Sequence, residues 1–296
     1  MSGANCVGWG AAVDVRPPPG SLRSPTSPQG GGKGPPMLLA IDAGNTNIVF
    51  AVHDGKETRA EWRAVTETTR TADEYAVLLA PLLAFHGLSF ADLTASIIAT
   101  VVPAALFDLR QFCRLYLHCD PLVVGDHEVD LGIAIHIDRP EAVGADRLVN
   151  AVAAHERYKG ALIVLDFGTA TTFDVVGENG VYEGGVIAPG VNLSAEALHK
   201  AAAMLPRVAV ARTQSVIGKD TVPAIQSGLY WGYIGLIEGL VARIKEEYGK
   251  PMTVIATGGL AKAFHKQTPA IDHLDPDLTV RGLIQIYARN AAKRPA

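Results

Sequence analysis

Cysteine is nearly absent: Cys6, Cys113 and Cys119 are the only three in 296 residues. A disulfide scaffold is thereby excluded, and a reducing, cytoplasmic setting is expected. A basic excess is missing too, since 26 Lys and Arg face 30 Asp and Glu for a net charge of −4. A general nucleic-acid coat needs the opposite balance. No apolar run is clean enough for a bilayer. The best stretch, Ala224 to Ala242, carries Gln226, Ser227, Glu238 and four glycines, which reads as a tightly packed helix of a soluble protein. Residues 1–36 lack the continuous apolar segment of a secretory signal. No Gly-x-x-x-x-Gly-Lys-[Ser/Thr] run occurs, so a P-loop is excluded. What is present is core material: 48% hydrophobic and 19% charged residues, over a length that suits two domains.

Seven prolines and eight glycines crowd residues 1–36, including Pro17-Pro18-Pro19 and Gly30-Gly31-Gly32. Such a segment buries too little to offset its ordering entropy, so it reads as a disordered leader or as sequence upstream of the true start. The structured protein is expected to begin at Met37, with one domain over 37–155 and a second over 156–296. Leu38-Leu39-Ala40-Ile41 reads as a strand, followed by a turn at Asp42–Asn47 and a second strand Ile48–Val52, with Asp54-Gly55 as a hairpin signal. The arrangement returns 124 residues later. Leu162–Leu165 leads into Asp166-Phe167-Gly168-Thr169, then Thr172–Val176 and Asn179-Gly180. An internal repeat of this kind predicts two related domains, each presenting an acidic, glycine-containing turn to a shared cleft.

Helical periodicity covers 72–85, 104–117, 142–158, 193–204 and 222–248. Ile97–Val102, Pro121–Val124 and Met252–Ala256 read as buried strands, the last ending in Thr257-Gly258-Gly259 before a helix over 260–266. Strands and helices interleaved in this way predict an α/β fold of mixed sheets covered by helices.

Asp42-Ala43-Gly44-Asn45-Thr46-Asn47 is the most informative run. Glycine lets the backbone approach a phosphate, and amide and hydroxyl groups can then donate to its oxygens. An aspartate there repels phosphate unless a divalent cation lies between, commonly through water for magnesium. A plain hairpin turn held by an Asx bond is the alternative. The second copy at Asp166 counts against it. Thr257-Gly258-Gly259-Leu260 admits either glycine kept for packing or a bed for adenosine. Asp146 and Asn150 are four apart at the start of a helix and share a face. Asp146 is placed to accept a proton from a substrate hydroxyl while Arg147 holds a carboxylate. The alternative is an exposed ion pair on a first helical turn, where Asp is favoured anyway.

Asp42–Asn47, Gly144–Arg147, Asp166–Thr169, Gly184–Gly190 and Ile217–Thr221 stand in an order and spacing that resemble type III pantothenate kinases, from about Met37 to the C-terminus. The resemblance implies duplicated ribonuclease-H-like (actin-like ATPase) domains with a cleft between them. It implies a cytoplasmic homodimer that uses ATP to phosphorylate the 4′-hydroxyl of pantothenate, the first step of coenzyme A biosynthesis. By the same resemblance Asp42, Ala43, Gly44, Asn45, Thr46, Asn47, Ile48 and Val49 bind the ATP phosphates, with Asp42 near magnesium through water. Thr169 contacts ATP, and Asp166 holds a monovalent cation, potassium or ammonium. Asp146 is the proton acceptor, and Gly144, Ala145, Asp146, Arg147 and Thr221 bind pantothenate. One departure stands out: a tyrosine that contacts pantothenate in many members is replaced here by Ile137.

The glycines at 228, 232, 235 and 239 share one side of a helix, which suits either a dimer interface or packing within the domain. Cys113, His118, Cys119 and His127 fit no zinc spacing. Two other functions share the fold. A regulatory relative of the Bvg accessory factor type would not need Asp42, Asp146, Arg147 and Asp166 together. A phosphatase of the exopolyphosphatase type would have no use for the Gly-Ala-Asp-Arg run.

Overall fold

The computed structural model describes residues 37–201 and 205–293; the predicted leader over 1–36 lies outside them. The chain opens with strands β1 (Met37–Ala43), β2 (Asn47–His53) and β3 (Thr58–Val65). Helix α1 (Ala72–Phe85), strand β4 (Leu93–Thr100), helix α2 (Pro103–Tyr116), the short β5 (Leu122–Val123) and helix α3 (Ala145–Arg157) follow. A second set then begins with β6 (Ala161–Phe167), β7 (Ala170–Val176) and β8 (Tyr182–Pro189). It continues through α4 (Val191–Ala201), the long α5 (Thr221–Tyr248), β9 (Met252–Thr257), α6 (Ala261–His265), β10 (His273–Leu274) and α7 (Leu278–Ala291).

The two sheets are the same object twice. One runs β3-β2-β1-β4-β5 and the other β8-β7-β6-β9-β10. In each, the first three strands pair antiparallel and the last two join in parallel. The duplication expected from the repeated hairpin is therefore present strand for strand, in two mixed sheets covered by helices.

Both central strands are apolar up to Asp42 and Asp166 near their ends, because both of their faces are covered. Leu39 and Ile41 of β1 enter a core with Leu79 of α1 and Phe112 of α2. Leu38 and Ala40 point the other way, onto Val149 of α3 and Leu283 and Ile286 of α7. In the second sheet Ile163 and Leu165 pack with Ile237 of α5 and Phe264 of α6, whereas Leu162 and Val164 pack with Leu148 and Ala151 of α3. Helix α3 thus touches both sheets, and the last helix of the chain finishes the core of the first. The two helices lie close because of Gly282: a Cβ there would stand 2.3 Å from the Val149 carbonyl oxygen.

Helix α1 begins with a complete capping box, Thr71 with Glu74. The glycines at 228, 232 and 235 lie on the open side of α5. A Cβ at Gly228, Gly232 or Gly235 would meet nothing within 4 Å, so that side packs against no other part of the described chain. Tyr230 and Tyr233 lie on the opposite side, buried in the second core. Among the described residues no helix is long and apolar enough to cross a membrane.

Candidate active site

A cleft of about 1140 Å³ is lined by both hairpin turns, by the start of α3, by the β9–α6 turn and by the start of α7. The turns meet directly, since the hydroxyls of Thr46 and Thr169 lie 2.7 Å apart. Asp42, Gly44, Asn45, Thr46, Asn47 and Val49 line this cleft together with Asp146, Asp166 and Thr169. Ala43 and Ile48 do not, because they are buried strand residues flanking the turn. The turn itself is shorter than the sequence reading, for β1 extends through Asp42 and Ala43. Gly144, Ala145 and Arg147 surround Asp146 without reaching the cleft wall, and Thr221 is exposed at the first position of α5, outside the lining. Ile137 packs toward Gly184 and the apolar cluster around Tyr182, as a branched aliphatic side chain should.

Helix α3 places the acid–base candidate. Gly144 is its N-cap residue, and Asp146 falls in the first turn. There the Asp146 Oδ1 accepts the Arg147 N–H at 2.8 Å, and the residue lines the cleft. A side chain on Gly144 would collide with that carboxylate at 2.5 Å. The Arg147 guanidinium turns away into the second sheet. Its Nε donates to Oδ1 of Asp174 at 2.6 Å, and Nη2 forms an ion pair with the same oxygen at 2.6 Å. Asp174 is 0% exposed and also accepts from Thr172 Oγ1 and from the Tyr182 hydroxyl. The exposed ion pair considered from sequence is thus a buried one, made with a residue 27 positions away.

One turn further along α3, Asn150 is buried and donates from Nδ2 to Asp166 Oδ2 at 3.0 Å, while its Oδ1 accepts from Thr279 of α7 at 2.7 Å. Asp166 Oδ1 accepts no hydrogen bond among the described residues and faces Gly258. With φ of +88°, Gly258 adopts a left-handed conformation, and a Cβ there would lie 2.3 Å from that oxygen. The glycine of the β9–α6 turn is therefore required by the carboxylate beside it.

Three carboxylates from three elements now crowd one space. Burial, then the charges of Asp146 and Asp166, push Asp42 from 3.8 up to about 7, against the pull of Arg63. Burial, then Asp146 and Asp174, raise Asp166 to about 7 as well, against the Asn150 bond. Asp146 is raised by burial and held back by the backbone N–H and charge of Arg147. Such crowding favours any cation that enters. Among the described residues no three His, Cys, Asp or Glu form a ready-made metal cage. The donor set fits magnesium held by one or two carboxylates, water and substrate phosphates, and it fits a monovalent ion at Asp166 Oδ1.

A pH dependence follows. Both Asp42 and Asp166 keep their protons in the folded protein at pH values where the unfolded chain, with carboxyls near 3.8, has lost them. The folded state binds the extra protons, so stability of the cation-free protein falls as pH rises from about 4 to about 7 and levels off above that. Melting temperatures across pH 4.5–8.5 in chelated buffer measure this. A flat or rising profile through that window overturns it, and added magnesium with nucleotide raises the melting temperature more at pH 8 than at pH 5.

Sequence reasoning missed several groups in and around this cleft. Glu61 and Arg63 reach it from β3, Arg207 from the segment after α4, and Thr172 from β7.

Comparisons with known proteins bear on this arrangement. A family model described as type III pantothenate kinase matches residues 38–243. A type III pantothenate kinase of Paramagnetospirillum magneticum is 65% identical over 255 residues, covering 86% of this chain and 98% of that protein. One of Rhodospirillum rubrum is 64% identical over 254 residues, covering 86% and 99%. Among solved structures, a Baf-family protein of Campylobacter jejuni superposes with a TM-score of 0.54 at 18% identity, covering 86% of this chain and all of that one. A protein assigned as a 2-dehydro-3-deoxygalactonokinase from Sinorhizobium meliloti gives 0.52 at 15% identity, covering 86% and 96%. At those identities the structures speak for the fold alone.

Proposed function

The chain belongs to the type III pantothenate kinase family, and from that premise we propose how its own residues divide the work of moving a phosphoryl group from ATP to the 4′-hydroxyl of pantothenate, the opening step of coenzyme A formation. The observation that carries the proposal is the convergence of Asp42, Asp146 and Asp166 on one cleft between two glycine turns.

Phosphoryl transfer has a loose transition state, so catalysis rests on in-line placement and neutralised charge. The first turn, Asp42 to Val49, takes the ATP phosphates on its free N–H groups and hydroxyls, and Thr169 approaches from the facing turn. Thr257-Gly258-Gly259-Leu260 receives the adenosine. Asp42 would hold magnesium through water and Asp166 Oδ1 potassium or ammonium; bound there, these ions neutralise charge on the transferred group. Asp146, with Oδ1 occupied by the Arg147 N–H, offers Oδ2 to the proton of the acceptor hydroxyl. Gly144, Ala145 and Arg147 enter as pantothenate-binding residues on the family resemblance, since none of the three lines the cleft and the Arg147 guanidinium is engaged by Asp174. Thr221 and the cytoplasmic location enter on the family resemblance. The homodimer has a physical basis in the unpacked glycine side of α5 and in Val216 and Ile217, which are 63% and 71% exposed; sedimentation velocity reads the oligomer directly.

A coupled ATP-consumption assay with magnesium tests the reading. ATP loss that needs both pantothenate and potassium or ammonium, and fails in sodium, is expected. ATP loss without pantothenate would make the protein a hydrolase, and no ATP loss in any salt would overturn the enzymatic assignment.

A further inference from the structure

The turn between β1 and β2 has an uneven hydrogen-bond balance. The Ala43 carbonyl accepts from the Val101 N–H at 3.1 Å and from Thr100 Oγ1 at 3.2 Å. The Gly44 carbonyl accepts from Thr66 Oγ1 at 2.7 Å, and the Thr46 carbonyl accepts from the Thr66 N–H at 3.0 Å. The Asn47 carbonyl accepts from the Gly44 N–H at 3.0 Å. Nearly every acceptor of the turn is therefore tied back into the protein, whereas the N–H groups of Asn45 and Thr46 find no acceptor among the described residues. Donors without partners in a turn that lines a cleft make an anion-binding nest.

Thr66, one residue past the end of β3, makes two of these bonds and has no part in the roles given above. We infer that Thr66 is a positioning residue that sets the first turn for the polyphosphate of the nucleotide, a step that rests on reading this turn as the phosphate site. The reason lies in one peptide unit. In a trans peptide the C=O and N–H point in opposite directions, so the bond from Thr66 Oγ1 to the Gly44 oxygen fixes where the Asn45 N–H points. Glycine at 44 leaves that peptide free to rotate when the bond is missing. Rotation would present a carbonyl oxygen to the phosphates in place of a donor. The Thr66 N–H, bonded to Thr46, holds the far end of the same turn.

The test pairs Thr66→Val, which keeps shape and removes the hydroxyl, with Thr66→Ser, which restores it. Losing one hydrogen bond that orients a charged ligand should weaken binding of magnesium AMP-PNP about tenfold by calorimetry and raise KM for ATP alike. KM for pantothenate should hold steady, and Thr66→Ser should return nucleotide affinity to the wild-type range. In the wild-type protein, AMP-PNP should slow hydrogen exchange at the Asn45 and Thr46 amides, a readout that stands even if Thr66→Val fails to fold. Unchanged nucleotide affinity in folded Thr66→Val overturns the inference, as does an equal loss for both substrates or a Ser variant as weak as the Val one. If wild-type protein binds AMP-PNP without slowing exchange at 45 and 46, the reading of the turn itself falls and this inference with it.

Discussion

Asp146→Asn lowers kcat by about 10²- to 10⁴-fold while the enzyme still binds nucleotide, the range expected when a positioned general base is removed. Asparagine is the sharp test because the geometry around position 146 survives. Its Oδ1 can keep the Arg147 N–H at the first turn of α3, and the other terminal group is then an NH₂ that accepts no proton. Burial raises the Asp146 carboxyl above its ordinary range, which improves it as a base toward neutral pH. The charge of Asp146 also raises both Asp42 and Asp166. The same variant should therefore shift the pH dependence of magnesium–nucleotide binding to lower values as those two carboxyls relax. Steady-state kinetics and calorimetric AMP-PNP titrations read the two effects separately. Activity above a tenth of wild type would remove Asp146 from the base role.

Asp174→Ala is expected to cost about 3–5 kcal/mol of folding stability, the range for breaking a buried pair by deleting one partner. The Arg147 side chain is 16% exposed and is hydrogen-bonded and ion-paired to Asp174, so it would be left charged without its counterion. The Thr172 and Tyr182 hydroxyls lose their acceptor at the same time. Asp174→Asn keeps the shape and should fall between the two. Urea denaturation measures the series, and a loss below about 1 kcal/mol for the alanine variant would mean that Arg147 finds solvent instead. Because Arg147 directly follows Asp146, kcat should drop as well.

The sequence made some of this legible and hid the rest for definable reasons. The repeated Asp-x-Gly turns announced the duplication because each lies between apolar strands, and 72–85 was plain as a helix from its apolar stripe at three-to-four spacing. Strand β3 was not. Its inward residues are Ala60, Trp62 and Ala64, and two alanines give a weak alternation on an edge strand. Glu61 and Arg63, carried by that strand to the cleft, went unseen with it. Strand β8 was read as a motif because Gly184, Gly185 and Pro189 demote a strand, and only its edge position makes them tolerable. Asp174 was given no role, standing only as one residue of the strand Thr172–Val176. Its partner is set by tertiary structure, and no periodicity reports a pairing of that kind. The same holds for Thr66, whose two bonds bridge 20 and 22 positions of chain.

The packing of α7 on β1 bears on synthesis. Leu38 leaves the ribosome almost first, yet one side of its strand is covered by Leu283 and Ile286. At elongation rates of roughly 5–20 residues per second, the nascent first sheet waits on the order of 10–50 s for the helix that covers it. During that interval an apolar face lies open to chaperones or to other nascent chains. A stop codon shortly before residue 278 would remove only α7, the last short stretch of the chain, and yet leave one face of the sheet made first with α3 alone to cover it.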